Sequence, residues 1–268
     1  MKKIIFTVTL TLLVLTLAAC SGSKISLTFD TNGGEELDPL VIKSNDTFNL
    51  PVPTREGFLF EGWYLTKLGP DPVTEKNRFE EDVTLYARWI SENHISYSNQ
   101  LDDTNPVVHI YVKNVGVMVL QLFPNIAPNT VNNFIHNIQN DYYIDIPFHR
   151  VIEDFMIQGG MGEAGTCNIF GEFTSNGFVN PLGHFRGILS MARTNQPNSA
   201  STQFFIMHKN TPGLDGNYAA FGGLIAGFSV LDYIATAPKQ GETPSPSIIV
   251  SHMTVDTKGV TYQAPVCQ

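Results

Sequence analysis

The chain contains little charge and few cysteines. Charged residues make up 15% of its 268 residues, and the formal net charge is −9 at pH 7. An acidic chain lacks the basic surface that neutralises nucleic-acid phosphates, so we expect no binding to nucleic acid. Its cysteines and histidines lack the spacing of a zinc site, and no loop is rich enough in Asp and Asn for calcium. The sequence therefore predicts neither a metal nor a cofactor.

The three cysteines are too few for a disulfide framework in a chain of this length. Cys20 belongs to an N-terminal targeting segment, which leaves Cys167 and Cys267. Export from the cell would permit these two to pair. A single possible pair is weak evidence for a bond, so we expect two free thiols.

The sequence also lacks an apolar run that comfortably spans a membrane, because the run from Ile4 to Leu17 is too short. It follows two lysines and ends in Leu17-Ala18-Ala19-Cys20, which resembles the bacterial lipobox. The resemblance implies removal of residues 1–19 as a lipoprotein signal peptide and lipidation of Cys20. The alternative is an ordinary secretory signal that is cut after Ala19.

Acyl chains contribute about 0.8 kcal/mol per buried CH₂ group, so a multiply acylated terminus anchors stably. We therefore expect the mature protein on the extracellular face of the bacterial cell membrane, held there through Cys20. Residues 20–24 would form a short tether. A monomer is expected.

Residues 25–90 are predicted to form a small β domain. The alternating segment Ile25–Phe29 meets a strong turn signal at Asp30–Gly34. The string FDTNGG…PTREGFLFEGWY…VTLYARW resembles the internalin-type B repeat, also known as the Listeria-Bacteroides repeat. The resemblance implies a compact β-grasp-like module, whose ligand the sequence does not identify. Its aromatic residues are interpreted as the core of a small domain rather than as a ligand platform: Phe58, Phe60, Trp63, Tyr64, Tyr86 and Trp89.

Residues 91–106 are polar and without periodicity, so they are predicted to be a linker. A second domain is predicted at residues 107–262, with a tail at 263–268. Apolar residues at helical spacing predict a helix from Pro128 to Asn140, and Ser229 is a candidate N-cap for a second helix. Short strands with Gly and Pro turns fill the rest, which favours a β-barrel closed by helices.

Two blocks of sequence in this second domain carry the chemistry. The first runs from Phe148 to Gly160, FHRVIEDFMIQGG, and the second comprises GILSMA at 187–192, STQFFIM at 201–207 and LDG at 214–216. Together they resemble the cyclophilin family of peptidyl-prolyl isomerases over roughly Val107 to Thr257. The resemblance implies a mainly β fold: an eight-stranded antiparallel barrel with a helix at each opening. It also implies isomerisation of X-Pro bonds in exported proteins, which would assist their folding at the cell surface.

Rotation about an X-Pro bond is slow because amide resonance creates a barrier of about 18–20 kcal/mol. Catalysis requires that the twisted amide be bound better than either planar form. In the twisted state the prolyl nitrogen accepts a hydrogen bond, so a fixed cationic donor would stabilise it. We predict Arg150 as that donor, since a guanidinium is always charged and has a rigid plane. The alternative for Arg150 is a surface salt bridge.

The remaining site residues follow from matches to the family motifs. Four apolar residues are predicted to hold the prolyl ring: Phe155, Met156, Phe205 and Leu214. The alternative for each of them is ordinary packing in the core. Gln158 would hold the substrate carbonyl or orient Arg150, and it is predicted with Arg150 and Phe155 to be catalytic. Ala192 and Gln203 would line the groove for residues that precede the proline.

Three further positions complete the prediction. His149 is expected to frame the groove rather than to act as a base, because the reaction moves no proton. Phe204 should face the opposite side of its strand from Phe205. Where the family often has Trp and His, this chain has Gly213 and Tyr218, and Tyr218 would still provide an aromatic pocket wall.

Two other functions are compatible with the sequence. A cyclophilin-like surface could hold proline-containing segments without turnover, although such a binder has no need to keep Arg150. The small domain at 25–90 could instead serve adhesion on the bacterial surface.

Overall fold

The computed structural model describes residues 23–44, 46–67, 72–91, 95–162 and 167–268. The predicted signal peptide and Cys20 lie outside these ranges, as do parts of the predicted tether and linker. The described part is mainly β with two α-helices, which confirms the predicted fold class at that level. No helix within it is both long and apolar enough to cross a membrane.

The strands and helices are numbered in chain order. The strands before the first helix are β1 Lys24–Asp30, β2 Leu40–Lys43, β3 Phe58–Tyr64, β4 Pro72–Val73, β5 Val83–Ser91, β6 Val107–Val112 and β7 Gly116–Leu122. The later strands are β8 Ile146–Pro147, β9 Arg150–Ile152, β10 Met156–Gly159, β11 Ile188–Met191, β12 Phe204–Met207, β13 Ala220–Ala226, β14 Lys239–Gln240, β15 Thr243–Pro244 and β16 Ile249–Asp256. The helices are α1 Pro128–Gln139 and α2 Phe228–Ala235.

Strands β1 to β5 form the N-terminal part of the sheet, in the order β2-β1-β5-β3-β4. Strand β1 is parallel to β5, whereas the other pairs are antiparallel. Phe60, Trp63 and Tyr64 are buried and the other three predicted aromatics are partly buried. The indole of Trp63 donates to the Pro51 carbonyl at 2.7 Å. Phe60, Trp63 and Trp89 belong to an apolar cluster of this part, as predicted. Phe58, Tyr64 and Tyr86 instead each lie beside a cation.

The remaining long ladder runs β8-β16-β6-β7-β13-β11-β12-β10-β9 through antiparallel pairs. Its two end strands, β8 and β9, are separated in the chain by only Phe148 and His149. Phe134 of α1 packs in the core against Tyr143, Phe204 and Phe221. The eight-strand count and the closure of the ladder stay predictions.

The predicted start is right for helix α1 and wrong for helix α2. Helix α1 starts at Pro128, as predicted, because proline suits a position that has no intrahelical N–H partner. Helix α2 starts at Phe228, and its N-cap is Gly227 with φ +85° rather than the predicted Ser229. Ser229 is instead inside the helix and buried against Gly62, where a Cβ would overlap its hydroxyl.

The segment at 91–106 is not a simple linker. Tyr97 is fully buried, and its hydroxyl donates to the Leu224 carbonyl at 2.7 Å. Its ring lies so close to Gly223 that a Cβ there would overlap it. Nearby, Phe60 of β3 and Ala226 of β13 form a parallel bridge. The N-terminal strands are therefore joined to the long ladder by backbone pairing and by a buried side chain.

The expectation of two free thiols is wrong, because Cys167 and Cys267 form a disulfide with a Cα–Cα distance of 5.7 Å. This distance is within the ordinary range for disulfides. The predicted tail is also held by Asn129, which exchanges two hydrogen bonds with the backbone of Val266. In the chain-entropy model, a cross-link that closes a loop of about 100 residues stabilises the fold by roughly 4–5 kcal/mol.

Replacing Tyr97 tests whether this segment belongs to the core. Tyr97→Phe should lower the free energy of unfolding by about 1–3 kcal/mol, since it removes a buried hydrogen bond. Tyr97→Ala should cost about 3–5 kcal/mol through the cavity that it leaves. Urea denaturation measures both. The partly exposed Tyr142→Phe is the control, and equal stability of Tyr97→Ala and wild type would contradict the packing described.

Candidate active site

Four strands bring one row of side chains together across the sheet. Arg150 of β9 pairs with Gln158 of β10, Gln158 pairs with Phe205 of β12, and Phe205 pairs with Ser190 of β11. Residues that are directly opposite each other point to the same face. Their sequence neighbours on these strands are fully buried in the core: Val151, Ile157, Leu189, Phe204 and Ile206. The predicted opposition of Phe204 and Phe205 is confirmed.

A small cleft lies along this row. It is lined by Arg150, Phe155, Met156, Gln158, Ala192, Arg193, Phe205, Leu214 and Tyr218. Its volume of about 110 Å³ is well below the roughly 300–1,000 Å³ of pockets for drug-sized ligands. The cleft therefore suits one small ring or side chain. Eight of the ten residues predicted to act on substrate line it.

The floor of the cleft is apolar and supported from behind. Phe205 is 5% exposed and Met156 is 2% exposed. Tyr218 meets the Phe205 ring edge-on, at 5.7 Å between centroids. His184 stacks on Phe205 at 5.9 Å and 16° between planes. Tyrosine at position 218 thus provides the predicted aromatic wall.

A second cleft adjoins the first and shares Gln158, Ala192 and Arg193 with it; its other lining residues are Thr194, Ser199, Ser201 and Gln203. The side-chain amide of Gln158 donates to the Gln203 side-chain oxygen at 2.9 Å. Among the described residues Gln158 makes no hydrogen bond to Arg150, so the predicted orienting role is not seen. The two clefts are therefore adjacent along three shared residues.

Arg150 forms a salt bridge and also lies beside the cleft, while its catalytic role stays a prediction. Its Nε donates to Oε2 of Glu242 at 2.6 Å, which is the surface salt bridge given as the alternative. The same guanidinium also lines the cleft. Within the described ranges its two terminal nitrogens have no hydrogen-bond partner, so they remain available to a substrate.

His149 lies at the margin of the site and lines neither cleft. Its backbone N–H donates to the Gln158 carbonyl at 3.1 Å, and its carbonyl accepts from the Thr243 hydroxyl at 3.0 Å. Burial lowers the pKa of His149, with a further contribution from the charge of Arg150. Both hydrogen bonds use the His149 backbone, so the residue supports the strands around the cleft through its main chain.

Arg193 was not predicted from the sequence, although it follows Ala192 directly. Its Nε and Nη2 donate to the Asn217 carbonyl at 3.1 and 2.8 Å, and its Nη1 donates to the Thr194 carbonyl. The guanidinium carbon lies 4.6 Å from the Tyr218 ring centroid. A second cation is therefore fixed where the two clefts meet. No three His, Cys, Asp or Glu side chains in the described ranges are grouped so that they could hold a metal.

His184 forms a buried polar support beneath the cleft. Its Nδ1 lies 3.0 Å from Oδ1 of Asp215, and its Nε2 lies 3.1 Å from the hydroxyl of Ser190. Burial lowers the pKa of His184. In the neutral ring, Nδ1–H donates to Asp215 and Nε2 accepts from Ser190, so every polar atom is satisfied.

Comparison with known proteins gives two family matches. The model of the cyclophilin type peptidyl-prolyl cis-trans isomerase family matches residues 107–255, just over half of the chain. The model of the Listeria-Bacteroides repeat domain matches residues 26–88. Both matches agree with the resemblances drawn from the sequence.

Individual relatives cover the same region. A peptidyl-prolyl cis-trans isomerase of Acinetobacter baylyi is 41% identical over 135 residues, which are 47% of this chain and 70% of the relative. A Staphylococcus epidermidis relative with the same enzyme name is 32% identical over 197 residues, covering 62% and 98%. A cyclophilin type isomerase of Cryptosporidium parvum, solved in the presence of the dipeptide Ala-Pro, is 31% identical with a TM-score of 0.51, covering 56% and 98%.

The buried His184 should make stability depend on pH. Its pKa is lower in the folded than in the unfolded chain, so the unfolded chain binds the proton more readily. The contribution of the neutral His184 ring to the free energy of unfolding is complete above the pKa of this ring in the unfolded chain, which is about 6.5. It is lost, by up to about 1.4 kcal/mol per pH unit, as the pH falls from that value towards the folded pKa.

Urea denaturation at pH 7.5 and pH 5.5 measures this loss, which should be smaller in His184→Gln. NMR titration of the His184 ring provides a direct reading that does not depend on the variant. A ring that titrates at or above pH 6.5 would contradict the assignment.

Proposed function

The chain belongs to the cyclophilin-type peptidyl-prolyl cis-trans isomerase family and is an enzyme of that class, and on this premise we propose that the cleft beside Arg150 is where it turns X-Pro bonds of exported polypeptides. One observation carries the proposal: a guanidinium whose terminal nitrogens have no hydrogen-bond partner among the described residues lies at the edge of an apolar cleft sized for a single ring.

In this proposal the prolyl ring occupies the cleft, against Phe155, Met156, Phe205 and Leu214. The ring is held while the acyl side of the bond rotates. A terminal nitrogen of Arg150 donates to the prolyl nitrogen once resonance is lost. Because this bond exists only in the twisted state, it lowers the barrier rather than merely tightening substrate binding.

The residues before the proline would extend into the adjoining cleft, past Ala192 and Gln203. Gln158 lies between the two clefts, where its side-chain oxygen can accept from the substrate backbone while its amide stays on Gln203. Tyr218 would close the pocket wall, and His149 would support the groove from its margin. The Ala-Pro dipeptide named with the Cryptosporidium parvum structure supports proline-containing polypeptides as substrates here.

Two finer features of the fold belong to the same proposal. We infer that the long ladder closes into a barrel, because β8 pairs with β16, β9 pairs with β10, and only two residues separate β8 from β9. We also infer a separate small domain at about 25–90, supported by the repeat match at 26–88. Its ligand is not identified, and the protein would act as a monomer.

We further propose that the enzyme works on the extracellular face of the bacterial membrane, anchored by lipid on Cys20. The lipobox-like sequence before Cys20 supports this location. The Cys167–Cys267 disulfide supports it independently, since such bonds persist in oxidising compartments. Uncatalysed isomerisation takes tens of seconds or longer, which is slow enough to limit the folding of exported chains.

Arg150→Ala tests the catalytic role. The variant should lose about 100-fold or more of kcat/KM in a proline-peptide isomerisation assay, as when one transition-state donor is removed. The assay uses the soluble chain that starts at Ser21. Thermal stability should stay near that of wild type, because Arg150 is 40% exposed. Arg78→Ala, far from the cleft, is the control, and an unchanged rate in Arg150→Ala would refute the role.

Cys20→Ala tests the location. The wild-type protein should fractionate with membranes of the expressing bacterium and incorporate radiolabelled palmitate. The variant should incorporate no label and should leave the membrane fraction, because its anchor is missing. Membrane association of an unlabelled variant would count against a lipid anchor on this residue.

A further inference from the structure

A two-residue turn lies next to the cleft on the side of Arg150. Strands β14 and β15 pair through Lys239 with Pro244 and Gln240 with Thr243, so that Gly241 and Glu242 form the turn. Gly241 has φ +62°, the left-handed backbone that the first central position of a type II′ turn requires. Glycine at this position therefore allows the turn conformation that sets the position of the next residue, Glu242.

Two hydrogen bonds attach this turn to the residues on either side of Arg150. The N–H of Val151 donates to the Glu242 carbonyl at 2.6 Å. The hydroxyl of Thr243 donates to the His149 carbonyl at 3.0 Å. Neither contact uses the Glu242 side chain, so the turn should keep its place when that side chain is changed.

The Glu242 carboxylate contacts Arg150 at one atom. Its Oε2 accepts from Nε of Arg150 at 2.6 Å, a short charge-assisted bond. A guanidinium is planar, so fixing Nε–H fixes the plane in which the two terminal nitrogens lie. Those nitrogens carry the donors that the proposed mechanism needs.

We propose that Glu242 is a positioning residue that holds the plane of the Arg150 guanidinium towards the cleft. The inference rests on the proposed role of Arg150. Without the carboxylate, a side chain that is 40% exposed would sample several rotamers, and fewer of them would aim a donor at the prolyl nitrogen.

The Glu242 carboxylate also has an electrostatic effect that opposes its positioning role. The carboxylate also lowers the net positive charge near the prolyl nitrogen, and its loss would then raise the rate. Both partners are largely exposed, with side-chain exposures of 40% and 53%, so water and salt screen this effect. The orientation of the guanidinium depends on one directed hydrogen bond, from Arg150 Nε to Glu242, which water and salt do not screen in the same way. We therefore expect removal of Glu242 to slow catalysis.

The test is a double-mutant cycle on the soluble full chain that starts at Ser21. Glu242→Ala should lower kcat by roughly tenfold, since small misplacement of a catalytic group has effects of this order or greater. KM should change by less than about twofold. Glu242→Gln should be intermediate, because its amide oxygen can still accept from Nε. In the Arg150→Ala background, Glu242→Ala should have no further effect.

Glu153→Ala is the matched control, because Glu153 is an exposed acid in the β9–β10 turn three residues from Arg150. It should leave kcat unchanged. If Glu242→Ala folds poorly, Glu242→Gln and its Arg150→Ala double variant complete the same cycle.

Several outcomes would overturn the positioning role: an unchanged or raised kcat in Glu242→Ala, or an equal loss with and without Arg150. The last result would mean that Glu242 acts on the fold rather than through the guanidinium. If Arg150→Ala itself retains activity, the proposed function fails as well. A large loss in Arg150→Ala with none in Glu242→Ala removes the positioning role alone.

Discussion

The register of strands β9, β10, β12 and β11 is the constraint on which the site depends. Their pairing aligns Arg150, Gln158 and Phe205 in one row. Because side chains alternate along a strand, a slip of one residue would turn this row into the core. Their buried neighbours, such as Val151 and Phe204, oppose such a slip because it would expose them to water. The same apolar packing that stabilises the fold therefore places the cation beside the apolar cleft.

The salt bridge of Arg150 is compatible with the catalytic role proposed for it. A guanidinium has five donors, and Glu242 uses only the one at Nε. Lysine could not divide its contacts in this way, because it has no plane for a partner to fix. Gln158 is likewise held at one atom, because its side-chain N–H donates to the Gln203 oxygen, and in the proposed function its own oxygen accepts from substrate. The site thus combines side chains that are held at one atom and available at another.

The sequence predicted features that depend on neighbouring residues, such as the alternation of side chains along a strand. It missed contacts between residues that are far apart in the chain. The alternation of Phe204 and Phe205 is local, so the sequence alone predicts that they point to opposite faces. The Tyr97 contact with Leu224 spans 127 positions, and the Glu242 contact with Arg150 spans 92. No local pattern indicates such pairs, because they arise only when the sheet is assembled. The free-thiol prediction failed for the same reason, since Cys167 and Cys267 meet only in the folded chain.

The position of the disulfide has a consequence for how the molecule is completed. The bond joins residues 100 positions apart, and strands β11 to β16 lie between them. All of these strands must be synthesised before the two sulfurs can meet. Arg150, Gln158 and Phe205 therefore emerge well before the cross-link can exist. The disulfide can therefore secure the cleft only after all of the side chains that line it have been synthesised.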